Sequence, residues 1–258
     1  IGRRDIDQLH QSLSQHPYRA NRVLALLSKM FSLAIEWEWI GRNPVKGVKR
    51  FTEEKRQRWL SADELTLLTD ALSRSSNQRA VNVIRLLTLT GARKSEALKA
   101  EWSQIDFERG VWTKPSAHTK QNRTEHVPLS ASALALLSEI REEALPGVPF
   151  IFPGDAPGKP LQDFKREWNK IVIDAGLEDV RIHDLRHTYA SHLVSSGLSL
   201  EIVGRLLGHT QSATTHRYAH LADDPLRKAT NRMAEIIERD GDDSSDDNVV
   251  ALNKGRKA

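Results

Sequence analysis

His183 and Arg186 stand three residues apart, the spacing that places two side chains on one side of a helix start. A proton-carrying imidazole and a fixed cation are thereby offered together. Arg93 follows the turn Thr90-Gly91-Ala92 and opens a short helical segment whose first backbone N–H groups also point outward. Two guanidiniums, Arg93 and Arg186, can grip the non-bridging oxygens of a phosphate bidentately. That grip tightens as charge builds in a phosphoryl transition state. Lys120, near a hairpin tip, can reach a leaving oxygen as a general acid if its pKa is lowered, with Lys114 a nearby competitor. Tyr218 supplies a hydroxyl that stays protonated near neutrality, since an ordinary tyrosine has a pKa of about 10. It needs a base, or cationic surroundings, before it can attack. The chain's other two tyrosines are Tyr18 and Tyr189, and Tyr189 lies in an apolar run that marks it as core.

Each residue also has a plainer reading. Arg93 alone would pair with Glu96 at i+3, His183 could cap a helix start, and His209 could favour a helix C-terminus. Tyr218 could be a core aromatic with its hydroxyl at the surface. Six of the ten histidines fall between 183 and 220, and the pairs His183/His187 and His216/His220 have the i, i+4 spacing of zinc-binding helices. The metalloprotease pattern wants Glu after the first histidine, whereas Asp184 stands there and Arg186 would lie beside the cation. No metal and no cofactor is expected.

The elements that must hold these residues are mostly helical. A long helix is predicted from about Arg19 to Trp39, with Val23, Leu27, Met30, Ala34 and Trp37 as its buried face and Gly41 as its left-handed stop. A basic connector follows, with Lys46, Lys49, Arg50, Lys55, Arg56 and Arg58 as candidate DNA contacts. Ser61 and Glu64 form a capping box, and a helix over Val81–Leu89 ends at Thr90-Gly91 before a short one from Arg93 to Lys99. Ile105–Phe107, Val111–Thr113, a stretch near His118 and Glu125–Leu129 read as short antiparallel strands. Helices resume over Ser132–Glu143, Asp163–Ala175 and Asp184–Ser196. Ser199 caps the next, ending at Gly208, and Ser212 caps a segment reaching Tyr218. A last helix over Pro225–Arg239 carries an apolar stripe of Leu226, Ala229, Met233, Ile236 and Ile237. The expected domains are 1–44, a basic linker 45–58, a larger domain 59–239 and a disordered tail 240–258.

The bulk composition agrees with a nucleic-acid partner without requiring one. Net charge is +4; the tail from Asp240 holds five Asp against three Lys/Arg, so its −2 leaves +6 on the body. The absence of cysteine excludes disulfides, thiol catalysis and Cys-ligated zinc. No apolar run is long enough to span a membrane and no signal peptide opens the chain, so a cytoplasmic protein is expected. The first residue is Ile1 rather than Met, and the chain is read as a fragment.

Thr-Gly-Ala-Arg-x-x-Glu from Thr90, His-x-x-Arg-His from His183, Leu-Gly-His from Leu207 and a tyrosine nine residues after His209 together resemble the tyrosine recombinase (phage integrase) family. The resemblance covers about Gln57 to Arg239 and extends to the helix at 19–39, which is similar to part of that family's core-binding domain. It implies a mainly α (α+β) fold: a helical catalytic domain with a small antiparallel three-stranded sheet, preceded by a partial helical core-binding domain. It also implies an active site of Arg93, Lys120, His183, Arg186, His209 and Tyr218, with Glu96 orienting its neighbours. Tyr218 would attack a phosphate of double-stranded DNA to form a 3′-phosphotyrosyl link. The arginines and His209 would stabilise the phosphorane, Lys120 would protonate the leaving oxygen, and His183 would act as base. Four copies assembled on DNA through the 225–239 helix, serving integration or excision of a mobile element, complete what the resemblance implies. A type IB topoisomerase and an inactive DNA-binding regulator of the same fold are the alternatives.

Overall fold

The computed structural model describes residues 1–54, 56–115, 124–209, 211–222 and 230–231. The chain divides into two compact units, residues 1–57 and 58–258.

The first unit holds α1 (Arg3–Ser12) and α2 (Pro17–Glu36). Pro17 occupies the first turn of α2, where a missing N–H costs nothing. The helix stops at Trp37, and the left-handed residue after it is Glu38 rather than Gly41. Its inward face is Ala20, Asn21 and Leu24, with Leu27 and Phe31 packed on the cluster of Ile6, Leu24 and Val45. The predicted face was turned: Met30 and Trp37 are exposed. The reason is Asn21. Its side-chain nitrogen donates to the carbonyl of Phe51 at 2.8 Å and its oxygen accepts from the Phe51 N–H at 3.1 Å. That polar pair, with the His10 ring stacked on Phe51 at 4.2 Å, draws the 45–54 stretch onto α2 and fixes which side faces in. An apolar period alone could not reveal a buried asparagine.

The second unit begins with α3 (Ala62–Arg74) and α4 (Gln78–Thr90). The Ser61/Glu64 capping box is formed, and Arg58 donates to both Glu64 oxygens. Asn77 caps α4 by accepting from Ala80 N at 3.0 Å. The short α5 (Lys94–Leu98) leads to β1 (Ile105–Asp106), β2 (Val111–Lys114) and β3 (Glu125–Pro128), an antiparallel sheet in the order β1-β2-β3. The strand stretch expected near His118 lies outside the described residues. Next come α6 (Ala131–Glu142), α7 (Lys165–Asp174), α8 (Asp184–Ser195), α9 (Leu200–Leu206) and α10 (Ser212–Thr215), then a 3₁₀ turn over His216–Ala222. Ser212 begins α10 without capping it through its side chain. The mainly helical fold with a small three-stranded antiparallel sheet is as expected. The helix expected over Pro225–Arg239 and the tail lie outside the described residues, apart from 230–231.

The main core gathers Trp112, Trp168, Phe152 and Phe164 with Leu and Ile side chains from α3, α4, α6 and α7. A smaller cluster of Ala190, Val194, Val203, Leu207 and Tyr218 joins α8 and α9 to the 3₁₀ turn. The helix α8 is tied to the start of the unit, since Thr188 Oγ1 accepts from Leu60 N and His192 Nε2 meets Leu60 O.

Gly91 is where the two clusters meet. It holds φ +60 at the end of α4, and a Cβ there would come within 2.6 Å of the Tyr189 ring and 2.9 Å of Leu207. Gly147 also has positive φ, +77, with nothing within 4 Å of such a Cβ. Both pay the left-handed penalty of about 1–2 kcal/mol on substitution by alanine, but only Gly91 adds a clash. Urea denaturation of Gly91→Ala is expected to show a clearly larger loss of stability than Gly147→Ala; equal losses would contradict this packing.

Candidate active site

The turn after α4 places Arg93 at the N-terminal cap of α5. Its Nη1 donates to Glu96 Oε1 at 2.5 Å, and its backbone N–H donates to Glu96 Oε2 at 3.1 Å. The other partner of Glu96 is Lys114, whose Nζ is 2.8 Å from Oε2, with both side chains almost fully buried. Burial would raise the Glu96 carboxyl, but the Lys114 ammonium and the Arg93 donors hold it below the usual carboxylate range. Burial lowers Lys114, against the pull of Glu96. Lys114 is thus committed to Glu96, and Lys120 lies outside the described residues.

Helix α8 supplies His183 at its N-cap, then Arg186 and His187 in its first turns. Arg186 is 4% exposed. Its Nη1 donates to Gly91 O at 2.8 Å and its Nη2 donates to Leu207 O. Burial first, and the neighbouring Arg93 charge second, lower its pKa to about 10, so it remains cationic at neutral pH. His209 follows Gly208, whose φ is +65, and its Nδ1 pairs with Thr215 Oγ1 at 2.9 Å. Burial, then Arg186 and Arg93, depress His209 to about 4.

Tyr218 lies in the 3₁₀ turn, 5% exposed. Its hydroxyl is 2.5 Å from Nδ1 of His187. Burial raises its pKa, while Arg217 and Arg186 work in the opposite direction. The Arg217 guanidinium sits 5.7 Å from the ring centre. His183 stands edge-on to His187 with ring centres 4.9 Å apart. Burial, then Arg186, lowers His183 as well.

The structure therefore brings Arg93, Glu96, His183, Arg186, His209 and Tyr218 into one electrostatically coupled cluster. Three further residues join it. Lys114 follows Trp112 by two on β2, so strand alternation puts it on the buried face. His187, noted in the sequence for its zinc-like spacing, faces the tyrosine. Glu125, which no motif marks, has its carboxyl raised by burial and one oxygen buried with no partner among the described residues. It lies so near Gly208 that a Cβ there would meet its Oε2 at 2.1 Å. Among the described residues no three metal-ligating side chains converge, and no helix is long and apolar enough to cross a membrane. Of the expected DNA contacts, Lys46, Lys49 and Arg50 are exposed, Arg56 is partly buried, Arg58 is engaged with Glu64, and Lys55 lies outside the described residues.

The cluster thus sets two guanidiniums, that of Arg186 buried and that of Arg93 partly so, beside a buried tyrosine and the imidazoles of His187 and His209. The chain belongs to the phage integrase family, whose sequence pattern matches residues 58–224. It is 30% identical over 227 residues to the integrase of Escherichia phage 186, a match covering 82% of this chain and 62% of the phage protein. The chain thus spans less than two thirds of that relative. Its fold resembles the Tn1549 transposon integrase solved with circular intermediate DNA (TM-score 0.70, 18% identity, covering 89% of this chain and 85% of that one). It also resembles lambda integrase in a tetramer bound to a Holliday junction (TM-score 0.69, 23% identity, covering 87% and 65%).

His187 and His209 have a pKa lowered to about 4 in the fold. Unfolded, a histidine takes its proton below about 6.5. Keeping both neutral therefore costs the fold nothing above about 6.5 and destabilises it progressively as pH falls towards about 4. Melting temperature is expected to fall across that window, and less steeply in His209→Asn; identical slopes for the two proteins would contradict the assignment.

Proposed function

We propose that this chain breaks and rejoins double-stranded DNA as a site-specific recombinase, through a phosphotyrosyl bond at Tyr218. The observation that carries the reading is the placement of the Tyr218 hydroxyl within the field of Arg186 and beside a neutral imidazole of α8. One scissile phosphate, anionic and presenting two non-bridging oxygens, matches the paired guanidiniums of Arg93 and Arg186, which would hold those oxygens and gain strength as the phosphorane forms. In the tautomer whose Nδ1 accepts from Thr215 Oγ1, the other ring nitrogen of His209 would carry a proton to offer the same phosphate. The tyrosine oxygen displaces the 5′ oxygen, which Lys120 protonates, and the proton of Tyr218 passes to the histidines of α8, the role the resemblance gives to His183. The energy of the broken bond is kept in the 3′-phosphotyrosyl link, so rejoining is the same reaction reversed.

The exposed cations of the first unit, Lys46, Lys49 and Arg50, suit contacts to DNA phosphates. The 1–44 segment and the basic 45–58 stretch act as the DNA clamp, 59–239 as the catalytic domain, and four copies assemble on DNA through the 225–239 segment. The junction-bound lambda integrase tetramer supports that assembly. Integration or excision of a mobile element is the role, as the phage 186 integrase supports.

The test uses nicked duplex DNA carrying the ends of the element that encodes the chain, incubated with the protein in EDTA. An SDS-resistant protein–DNA adduct is expected, and Tyr218→Phe is expected to abolish it while retaining DNA binding. An adduct that persists in the variant would overturn the assignment of the nucleophile.

A further inference from the structure

As the Tyr218 oxygen attacks phosphorus, its O–H bond must break, and a hydroxyl proton leaves most readily along a hydrogen bond already made. The atom at the other end is Nδ1 of His187, at 2.5 Å, with the two ring centres 5.9 Å apart. His183 makes no hydrogen bond to Tyr218 among the described residues. It presents its ring edge-on to His187 one helical turn away, which restricts how the His187 ring can turn. His187 is half-buried on the rigid body of α8, and that helix is held at both ends of the relevant stretch by Arg186 and Thr188. The geometry of a base within direct reach of its nucleophile is thus met by His187.

We propose that His187 is the group that takes the proton of Tyr218 in the cleavage step. The O–H bond breaks towards Nδ1 as the O–P bond forms. The P–O5′ bond breaks with its electron pair remaining on the 5′ oxygen, which the general acid protonates. On rejoining, the imidazolium returns its proton to the tyrosine oxygen. This moves one turn along α8 the role that the resemblance gives to His183, which becomes a positioning residue, and it rests on the recombinase reading above.

The charge environment fits such a cycle. Burial first, then Arg217, His183 and Arg186, keep the imidazole unprotonated down to about 4, with Asp184 opposing them, so its lone pair is free at neutral pH. After burial, the arginines are what oppose protonation. An anionic phosphodiester bound at Arg93 and Arg186 offsets part of their field, so the proton affinity of His187 rises when the substrate is in place.

The experiment follows adduct formation on the nicked duplex from about pH 5.5 to pH 9, a range that brackets histidine titration, for wild type, His187→Ala, His187→Asn and His183→Ala. Asparagine keeps an acceptor near the Nδ1 position but cannot carry the proton. Both His187 variants are expected to bind DNA as wild type does and to form adduct about 100-fold more slowly near neutrality, the usual worth of a general base. Their rates are expected to climb with pH as hydroxide takes over, and added imidazole is expected to restore part of the His187→Ala rate. His183→Ala is expected to keep the wild-type pH profile at a reduced rate. Full activity in His187→Asn would overturn the proposal, because holding the hydroxyl would then suffice. So would a wild-type rate in His187→Ala, or a pH dependence lost only with His183. A wild-type chain that forms no adduct would overturn the recombinase reading itself, and this inference with it.

Discussion

The site depends on one buried cation. Arg186 reaches out of α8 and donates to the carbonyls of Gly91 and Leu207, the residues that close α4 and α9. Those helix ends carry the partial negative charge of unsatisfied carbonyls, so the guanidinium is steadied by two dipoles rather than by a carboxylate. The arrangement fixes three helices about one charged group. It also leaves that charge without a full neutralising partner in a desolvated setting, a state that costs free energy until an anion arrives. A phosphodiester, the substrate proposed above, is such an anion, and its binding would complete an interaction the fold has prepared. This explains why Gly91 tolerates no side chain: its carbonyl must face Arg186 while Tyr189 and Leu207 close over it.

Around that centre the charges are arranged in two tiers. Glu96 takes up Lys114 and the inner edge of Arg93, so the buried lysine is balanced and Arg93 keeps a fixed orientation with part of its fork remaining. Burial, reinforced by Arg186 and Arg217, keeps the imidazoles of His187 and His209 neutral, serving as hydrogen-bond partners and not as further cations. Tyr218 packs its ring into the small apolar cluster and turns its oxygen to His187. Preorganised dipoles and charges of this kind act most strongly where water is excluded, which is the condition a phosphoryl transition state exploits.

Much of this was legible in the sequence, because the residues that hold the site are also those that shape the backbone. Gly91 and Gly208 mark helix ends by their need for positive φ, and each is followed within two residues by a site side chain. Ser61 with Glu64 fixed the start of α3 through a local pattern. What was not legible depended on contacts distant in sequence. The turned face of α2 follows from Asn21 bonding to Phe51, thirty residues on. The short α1 has too few apolar positions to announce itself by period. His183 and His187 share a helix face, and spacing alone could not tell which would meet a tyrosine about thirty residues later. Glu125 entered the site through its proximity to Gly208, which no local pattern encodes.

The most direct measurement of the central claim is to digest the protein–DNA adduct with protease and nuclease and identify by mass spectrometry the residue that retains nucleotide. Three tyrosines make the assignment unambiguous. The account predicts that the nucleotide mass remains on the peptide containing Tyr218, through its phenolic oxygen. Nucleotide on the Tyr18 or Tyr189 peptide, or on a serine or threonine, would contradict it.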